Sequence, residues 1–204
     1  MRTKHIISSA HKKKLNNDKG VFINFPVSEY KNTPYPNNTI SINEVEFLNT
    51  LPTKDNLQLI YDADKTLEYF TSELREIGVY EELQYDKKLK SLLNSISPFI
   101  IELKHYFKRP RPNEIQEIDY VWLQSGQTPS YPSGHSTQAR FISLYLADKY
   151  PYLKKEILSI GGNIGMSRIL ARIHYPSDHA VGKKLGTHLF CHYKKFSPNS
   201  NLFI

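Results

Sequence analysis

The chain carries the stretch SRILARIHYPSD at residues 167–178, where one helical pattern ends and the next begins. Pro176 turns the chain because its ring cannot continue a helix, and Ser177 is a favourable cap for the helix that follows. Apolar residues on both sides of this stretch recur at helical spacing. The pattern predicts three helices, at about residues 133–150, 152–174 and 177–192.

Earlier in the chain, helical patterns extend back to about residue 41. Ser41 and Glu44 fit a capping box at a helix start, and Ser97 followed by Pro98 predicts the cap and first position of another helix. Between these two points, apolar residues also recur at helical spacing: Leu57, Tyr61, Leu67, Phe70 and Leu74. Strand-like alternation is nearly absent, so the sequence predicts an all-α, single-domain helical bundle.

The composition divides the chain into three parts. Residues 1–40 show little periodicity and many turn-forming residues, which predicts an irregular extension. Residues 41–195 are predicted to form the helical functional domain, and residues 196–204 a C-terminal tail. A chain of 204 residues that is 39% hydrophobic can bury one sizeable core without a disulfide or a structural metal. Gly182 and Gly186 allow close helix packing, which favours internal packing and leaves a homo-oligomer open.

The sequence contains no candidate membrane span. The longest nearly apolar stretch, residues 141–147, is interrupted by Ser143, whereas a spanning helix needs about 20 consecutive apolar residues. No apolar run of a secretory signal follows the basic start, so we expect a soluble cytoplasmic protein, or a periplasmic one if a signal has been removed. Cys191 cannot form an internal disulfide, and we expect Cys191, His188 and His192 to pack rather than to hold a metal.

The net charge of +7, from 27 Lys and Arg against 20 Asp and Glu, indicates an anionic partner. Charge alone fits a phosphorylated metabolite, a nucleic acid or an acidic membrane surface. The aromatic residues are spread along helical faces and no nucleic-acid motif accompanies the charge, so nucleic acid is not expected. Part of the excess charge lies near the N-terminus, where a basic run is more often a solvated arm than a binding site.

At three places, two cations and one helix start, the sequence puts polar groups where the helical pattern predicts an apolar, buried face. Lys104 lies on an apolar helix face. A lone lysine in such a position more often packs the aliphatic part of its side chain along the core and extends its ammonium group to water. Arg111 follows in a proline-rich segment that forces extended backbone. Ser133, Gly134 and His135 open an amphipathic helix, where free N–H groups bind anions, or where Ser133 is simply a cap.

The stretch quoted first adds a cation, a histidine and a carboxylate. Arg168 leaves from an apolar neighbourhood, and Asp178 follows four residues after His174, within reach of one imidazole nitrogen. A carboxylate there fixes the tautomer and leaves a lone pair on the other nitrogen, while a satisfied core histidine is the alternative. With the residues above, this set suits phosphoryl transfer without a metal. Cations neutralise the phosphate oxygens, one histidine attacks phosphorus, and the other protonates the leaving oxygen.

The order of these motifs resembles the three-part signature of the type 2 phosphatidic acid phosphatase superfamily. The motifs are Lys104-x(6)-Arg111-Pro112, Pro132-Ser133-Gly134-His135 and Ser167-Arg168-x(5)-His174-x(3)-Asp178. The resemblance runs from about Ser97 to Leu189 and is nearest to the soluble bacterial class A nonspecific acid phosphatases, because Ser130-Tyr131 precede Pro132. It implies a helical bundle of the acid phosphatase/vanadium haloperoxidase type.

The resemblance also implies a role for each signature residue. His174 is the expected nucleophile that forms a phosphohistidine, Asp178 orients it, and His135 is the expected general acid. The expected phosphate ligands are Lys104, Arg111, Ser133, Gly134 and Arg168. Three further residues receive no catalytic role and are expected to face solvent or to support the site: Arg109, Arg172 and His179. The implied activity is a metal-independent phosphatase for a small phosphorylated substrate, with no cofactor.

Other activities remain open beside this one. A pyrophosphate is an alternative substrate to a phosphate monoester. In a vanadium haloperoxidase, vanadate takes the phosphate position and bonds the equivalent of His174, although such relatives are considerably longer. A peripheral lipid-phosphate phosphatase would use the basic N-terminal tail to reach the membrane. A non-enzymatic protein that binds anions or nucleic acid through its basic surface is the fourth hypothesis. Ala171 stands where the class A branch often has Cys, which leaves location and physiological substrate open.

Overall fold

The computed structural model describes residues 9–79 and 82–197, and within these ranges it contains helices and no β-strand. The α-helices are α1 (Ser9–Leu15), α2 (Ser28–Lys31), α3 (Asn38–Asn49), α4 (Leu57–Asp62), α5 (Thr66–Glu76), α6 (Glu82–Phe107), α7 (Pro112–Ile115), α8 (Gly134–Lys149), α9 (Lys154–Leu170) and α10 (Pro176–Phe196). Short 3-10 turns lie at Gly20–Phe22, Lys54–Asn56, Gln124–Gln127 and Pro151–Leu153. The all-α prediction is confirmed.

Helix α8 lies at the centre of the bundle and packs against both α9 and α10. The approach of α8 and α10 is close at Gly182, where an added Cβ would stand 2.7 Å from the Ser133 carbonyl oxygen. Gly186, one turn further on, faces the Thr137 carbonyl oxygen in the same way. Both glycines therefore serve packing within the chain, because no side chain fits between the two helices.

The largest apolar core lies where α5, α6, α8, α9 and α10 meet. Phe99 from α6, Phe141 from α8 and Leu189 from α10 are buried there. Phe22, from the N-terminal segment, is buried among them, with its ring centroid 5.7 Å from that of Phe141. Burying a side chain of this size stabilises a fold by about 1.5–3 kcal/mol, so the N-terminal segment is an integral part of the core.

The N-terminal segment also corrects the prediction of an irregular extension over residues 1–40. Its described part contains α1 and α2. Helix α3 starts before the predicted capping box, because the Asn37 side chain already accepts the Ile40 N–H. Ser41 and Glu44 therefore lie inside α3, and the capping-box prediction is wrong. The boundaries of the three predicted parts stay a prediction, and residues 198–204 of the predicted tail lie outside the described residues.

Helix α6 begins at Glu82 rather than at Ser97, and Pro98 lies inside it. Proline has no N–H to donate to the carbonyl oxygen of Asn94, four residues earlier. That oxygen instead accepts the side-chain amide of Asn17 at 3.2 Å. The helix continues through Pro98 because a side chain from the N-terminal segment replaces the missing hydrogen bond.

Helix α9 ends at Leu170, before the predicted end at His174. The cause is Arg172, whose φ of +59° is a left-handed conformation that ends helices. Near the end of α10, Cys191 is exposed rather than packed, whereas the His192 ring stacks on that of Phe22 at 6.2 Å. No helix in the described ranges is both long enough and apolar enough to cross a lipid bilayer.

Candidate active site

His174 lies in the turn after α9, and Asp178 lies in the first turn of α10. Nδ1 of His174 is 3.0 Å from Asp178 Oδ2, so the carboxylate fixes the hydrogen on Nδ1 and leaves the lone pair on Nε2. Burial holds the pKa of His174 well below its usual value, and the cations of Arg111 and Lys104 lower it further. His174 is therefore a neutral imidazole near neutral pH, and its free lone pair lies on Nε2.

A fully buried arginine, Arg109, holds the other oxygen of Asp178. Its NH1 lies 2.6 Å from Asp178 Oδ1, and its NH2 lies 2.9 Å from Oε2 of Glu44 in α3. The guanidinium carbon lies 3.7 Å from the ring centroid of Tyr175. Burial raises the pKa of the Asp178 carboxyl, and the Arg109 guanidinium opposes that rise. Asp178 also accepts the Tyr175 backbone N–H, so charge-assisted hydrogen bonds hold it as a carboxylate.

Lys104 and Arg111 are brought together from the end of α6 and from the extended residue that precedes α7. Lys104 Nζ donates to the carbonyl oxygen of Pro129 at 2.5 Å, and Arg111 Nε donates to that of Thr128 at 2.8 Å. Burial lowers the pKa of both groups, that of Arg111 to about 10, and Arg111 lowers that of Lys104 further. These hydrogen bonds go to neutral oxygens, so both charges are available to an anion.

The N-terminus of α8 forms another side of the site. Ser133 is its N-cap and accepts the Ser136 N–H, so the hydroxyl group is used within the helix start. An added Cβ on Gly134 would lie 3.8 Å from Lys104 Cε, which places the first turn of α8 beside that lysine. Free N–H groups at a helix N-terminus attract anions. The Ser133 N–H also donates to the Asp178 carbonyl oxygen at 3.1 Å and joins α8 to α10.

Arg168 differs from Lys104 and Arg111 because it is paired with a carboxylate. It is fully buried on α9, and its NH1 lies 2.6 Å from Oδ1 of Asp64, in the turn between α4 and α5. His135 Nε2 lies 3.0 Å from the Asp64 carbonyl oxygen. Burial, followed by the Arg168 charge, lowers the pKa of His135 to about 3, and Asp64 opposes this fall.

These groups meet at one cavity of about 880 Å³, a size typical of small-molecule sites. The signature residues that line it are His174, His135, Lys104, Arg111 and Gly134. Ile100 and Ile101 add an apolar wall. Within the part of the chain that the structure describes, no three His, Cys, Asp or Glu side chains are grouped closely enough to hold a metal ion. The cavity is therefore a site rich in positive charge that contains both signature histidines, and His105 also lines it.

Comparison of the sequence with models of known protein families assigns the chain to one of them. The sequence model of the PAP2 superfamily matches residues 89–202, just over half of the chain. The chain belongs to the PAP2 superfamily. This confirms the resemblance found in the three motifs.

Two curated proteins that are similar in sequence to this PAP2 chain are both named non-specific acid phosphatase. The protein from Salmonella typhimurium is 33% identical over 90 residues, which are 41% of this chain and 35% of the relative. The protein from Salmonella typhi is 29% identical over 87 residues, with the same two shares. The PAP2 chain thus spans about a third of the length of these relatives.

A solved structure with the same fold is the first transmembrane PAP2 type phosphatidylglycerolphosphate phosphatase from Bacillus subtilis. It superimposes with a TM-score of 0.54 and covers 91% of this chain and 93% of that chain, at 20% sequence identity. At this identity the likeness establishes the fold alone. It places the PAP2 chain described here in the predicted all-α fold class.

The structure brings the three stretches of the PAP2 signature together, although the residues do not all face the cavity. Asp178 lies behind His174, to which it is hydrogen-bonded. Ser133 and Arg168 are fully buried and do not line the cavity, and each already has hydrogen-bond partners inside the protein. Their predicted role as phosphate ligands stays a prediction, as do the roles of the lining residues.

Sequence reasoning missed the support that Glu44 and Asp64 give to the PAP2 signature, and it left open whether Arg109 supports the site or faces solvent. Arg109 was expected to face solvent or to support the site, and it is fully buried against Asp178. Its only sequence signal is its position two residues before Arg111 of the signature. Glu44 and Asp64 lie far ahead of the signature in sequence. Glu44 was assigned to a capping box, and Asp64 belongs to no motif that could have pointed to it.

The two other residues without a predicted role have structural partners. Arg172 donates to backbone carbonyl oxygens, including that of Leu51 at 3.0 Å. His179 Nδ1 lies 2.9 Å from Ser136 Oγ, and its ring packs against Gly165 of α9. Both side chains therefore join helices and loops around the PAP2 site and do not reach its cavity.

Proposed function

We propose that this protein is a phosphatase that hydrolyses phosphate monoesters of small molecules through a phosphohistidine, with no metal ion and no cofactor. The observation that carries the proposal is the cavity, where a neutral His174 oriented by Asp178 lies with two buried cations and a second histidine. PAP2 membership and relatives named non-specific acid phosphatase support the same activity. Among the residues that the structure describes, Lys104 and Arg111 form no side-chain ion pair with a carboxylate, and buried cations of this kind favour a bound anion.

In the first step, Nε2 of His174 attacks phosphorus in line with the ester oxygen. The N–P bond forms as the P–O bond breaks. His135, whose protonated form is stabilised by the negative charge of the bound phosphate, gives its proton to the departing oxygen. Lys104 and Arg111 neutralise the non-bridging oxygens, where charge accumulates in the transition state. The positive charge that develops on the His174 ring is stabilised by the Asp178 carboxylate at Nδ1.

In the second step, water attacks the phosphohistidine. His135, now neutral, takes a proton from this water as the new P–O bond forms and the N–P bond breaks. Inorganic phosphate leaves and both histidines return to their starting states. Two in-line displacements give overall retention of configuration at phosphorus. The protein itself supplies the positive charge that a metal ion supplies in other phosphatases.

The test combines turnover with detection of the intermediate. Wild-type protein is expected to hydrolyse p-nitrophenyl phosphate with and without EDTA and to give an acid-labile phosphoenzyme. His174→Ala should lose turnover and phosphoenzyme, whereas His135→Ala should still be phosphorylated, because p-nitrophenolate leaves without a proton. His188→Ala is the matched control, since His188 is exposed, contacts Tyr30 and lies outside the cavity. Near-normal turnover of His174→Ala, or loss of activity on chelation, would overturn the proposal.

A further inference from the structure

Asp64 connects two residues of the site and belongs to none of the signature motifs. Its Oδ1 lies 2.6 Å from Arg168 NH1 and accepts the Ser125 hydroxyl at 2.5 Å. Its backbone oxygen lies 3.0 Å from His135 Nε2, and Oδ1 lies 3.6 Å from the same nitrogen. One residue thus contacts a buried guanidinium through its side chain and an imidazole through both its side chain and its backbone.

The backbone contact determines which nitrogen of His135 can transfer a proton. A carbonyl oxygen only accepts hydrogen bonds, so Nε2 of His135 must carry a hydrogen and donate it to Asp64. In the neutral ring the lone pair then lies on Nδ1, and in the imidazolium Nδ1 carries the second hydrogen. Nδ1 is therefore the nitrogen that exchanges a proton with substrate or water.

The side chain of Asp64 supplies the negative charge at a site that otherwise disfavours the imidazolium. The charged and titratable groups facing His135 are Arg168 from α9, Lys104 from α6, His174 from the turn before α10, and Asp64. Burial and the two cations lower the pKa of His135, while the Asp64 hydrogen bond and charge raise it. Asp64 is therefore the residue that opposes loss of the His135 proton.

We propose that Asp64 is a positioning residue for proton delivery. It links Arg168 to His135, and its backbone oxygen keeps the hydrogen on His135 Nε2, so that Nδ1 is the nitrogen that transfers a proton. Its carboxylate stabilises the His135 imidazolium until the ester bond breaks. This inference rests on the proposed phosphatase function. In the transfer, the Nδ1–H bond breaks as an O–H bond forms on the leaving oxygen, and the imidazole becomes neutral. The opposite role, in which the Asp64 carboxylate competes with phosphate for Arg168, predicts a more active variant.

The decisive variant is Asp64→Asn, which keeps the size and the backbone oxygen of Asp64 and removes its charge. Two substrates are compared, p-nitrophenyl phosphate and glycerol 2-phosphate, whose alkoxide needs a proton to leave. We expect kcat for glycerol 2-phosphate to fall about tenfold more than kcat for p-nitrophenyl phosphate, and the alkaline limb of its pH profile to move to lower pH, because the imidazolium loses its proton more readily. Asp62→Asn is the matched control, because Asp62 is exposed and its carboxylate accepts the exposed side-chain amide of Gln58 at 2.8 Å.

Equal losses on both substrates with an unmoved pH profile would overturn the inference, since that result describes a purely structural residue. Higher activity with tighter inhibition by phosphate would overturn it in favour of competition. A wild-type protein without turnover or phosphoenzyme would overturn the proposed function instead. Nitrogen-15 NMR of wild-type protein measures the tautomer of His135 directly and requires neither activity nor a variant. We expect the neutral ring to be the Nε2–H tautomer, and the Nδ1–H tautomer would overturn the inference.

Discussion

Replacing Arg109 by alanine removes the counter-ion of two carboxylates at once. Arg109 pairs with Asp178 at 2.6 Å and with Glu44 at 2.9 Å, and its own side chain is fully buried. Removing one partner of a buried ion pair costs about 3–5 kcal/mol, because the other charge stays buried without compensation. Asp178 has no exposed surface and cannot turn to water, whereas the Glu44 side chain is 14% exposed and can do so.

We therefore expect Arg109→Ala to lower the free energy of unfolding by about 4 kcal/mol, within the range given for a broken buried pair. For a chain of about 200 residues, each kcal/mol corresponds to about 2–4 °C in the melting temperature, so the expected drop is about 8–16 °C. Arg109→Lys should give a smaller loss, because an ammonium restores the charge but not the two-pronged hydrogen bonding. Glu44→Gln should lower the free energy of unfolding by about 1 kcal/mol, the contribution of an ordinary hydrogen bond, because the amide of glutamine can still accept from Arg109 but carries no charge.

The assay is urea denaturation followed by far-ultraviolet circular dichroism near neutral pH, together with a thermal melt. Arg140→Ala is the matched control: Arg140 is half-buried and makes one hydrogen bond, to Thr187 Oγ1 at 3.1 Å. Its loss should cost about 0.5 kcal/mol, as for other substitutions away from the core. If Arg109→Ala costs under about 1 kcal/mol, the buried carboxylates do not depend on the guanidinium, and the reasoning from a broken buried pair fails.

Three further outcomes are expected. Phe22→Ala should destabilise the fold by about 3–5 kcal/mol in urea denaturation, and a loss like that of an exposed residue would place the N-terminal segment outside the core. Arg111→Ala should lower kcat/KM by about 10²- to 10³-fold in steady-state kinetics with p-nitrophenyl phosphate, and a loss under about threefold would mark Arg111 as structural. The pKa of His135 is lowered from 6.5 to about 3, so the unfolded state binds more protons than the folded state between these values. Stability should fall as pH drops below 6.5, and His135→Gln should flatten that decline by up to about 1.4 kcal/mol per pH unit, measured by urea denaturation at several pH values.

Much of the C-terminal half could be predicted because its signals are local. The cap at Ser133, the turn at Pro176 and the four-residue spacing of His174 and Asp178 each depend on neighbouring residues only. Helical spacing also predicted α8, α9 and α10 to within a few residues, apart from the early end of α9 at Arg172, where the backbone turns left-handed.

The failures have a common cause in contacts between distant parts of the chain. Ser97 followed by Pro98 predicted a helix start there, yet α6 continues through Pro98, and the carbonyl oxygen of Asn94 accepts the amide of Asn17, 77 residues earlier in the chain. Ser41 and Glu44 have the spacing of a capping box, yet both bind Arg109. A local pattern cannot reveal that a side chain has a stronger partner elsewhere in the fold.

By itself, the sequence determined the all-helical class and the set of chemical groups, because backbone propensity and motif spacing are properties of adjacent residues. Only the tertiary structure decided which charge meets which: that Arg109 neutralises Asp178, that Asp64 lies between Arg168 and His135, and that Lys104 and Arg111 have neutral partners. The physical reason is that the energy of a charge depends on burial and on distances of a few ångströms, and folding sets both by bringing separated segments together.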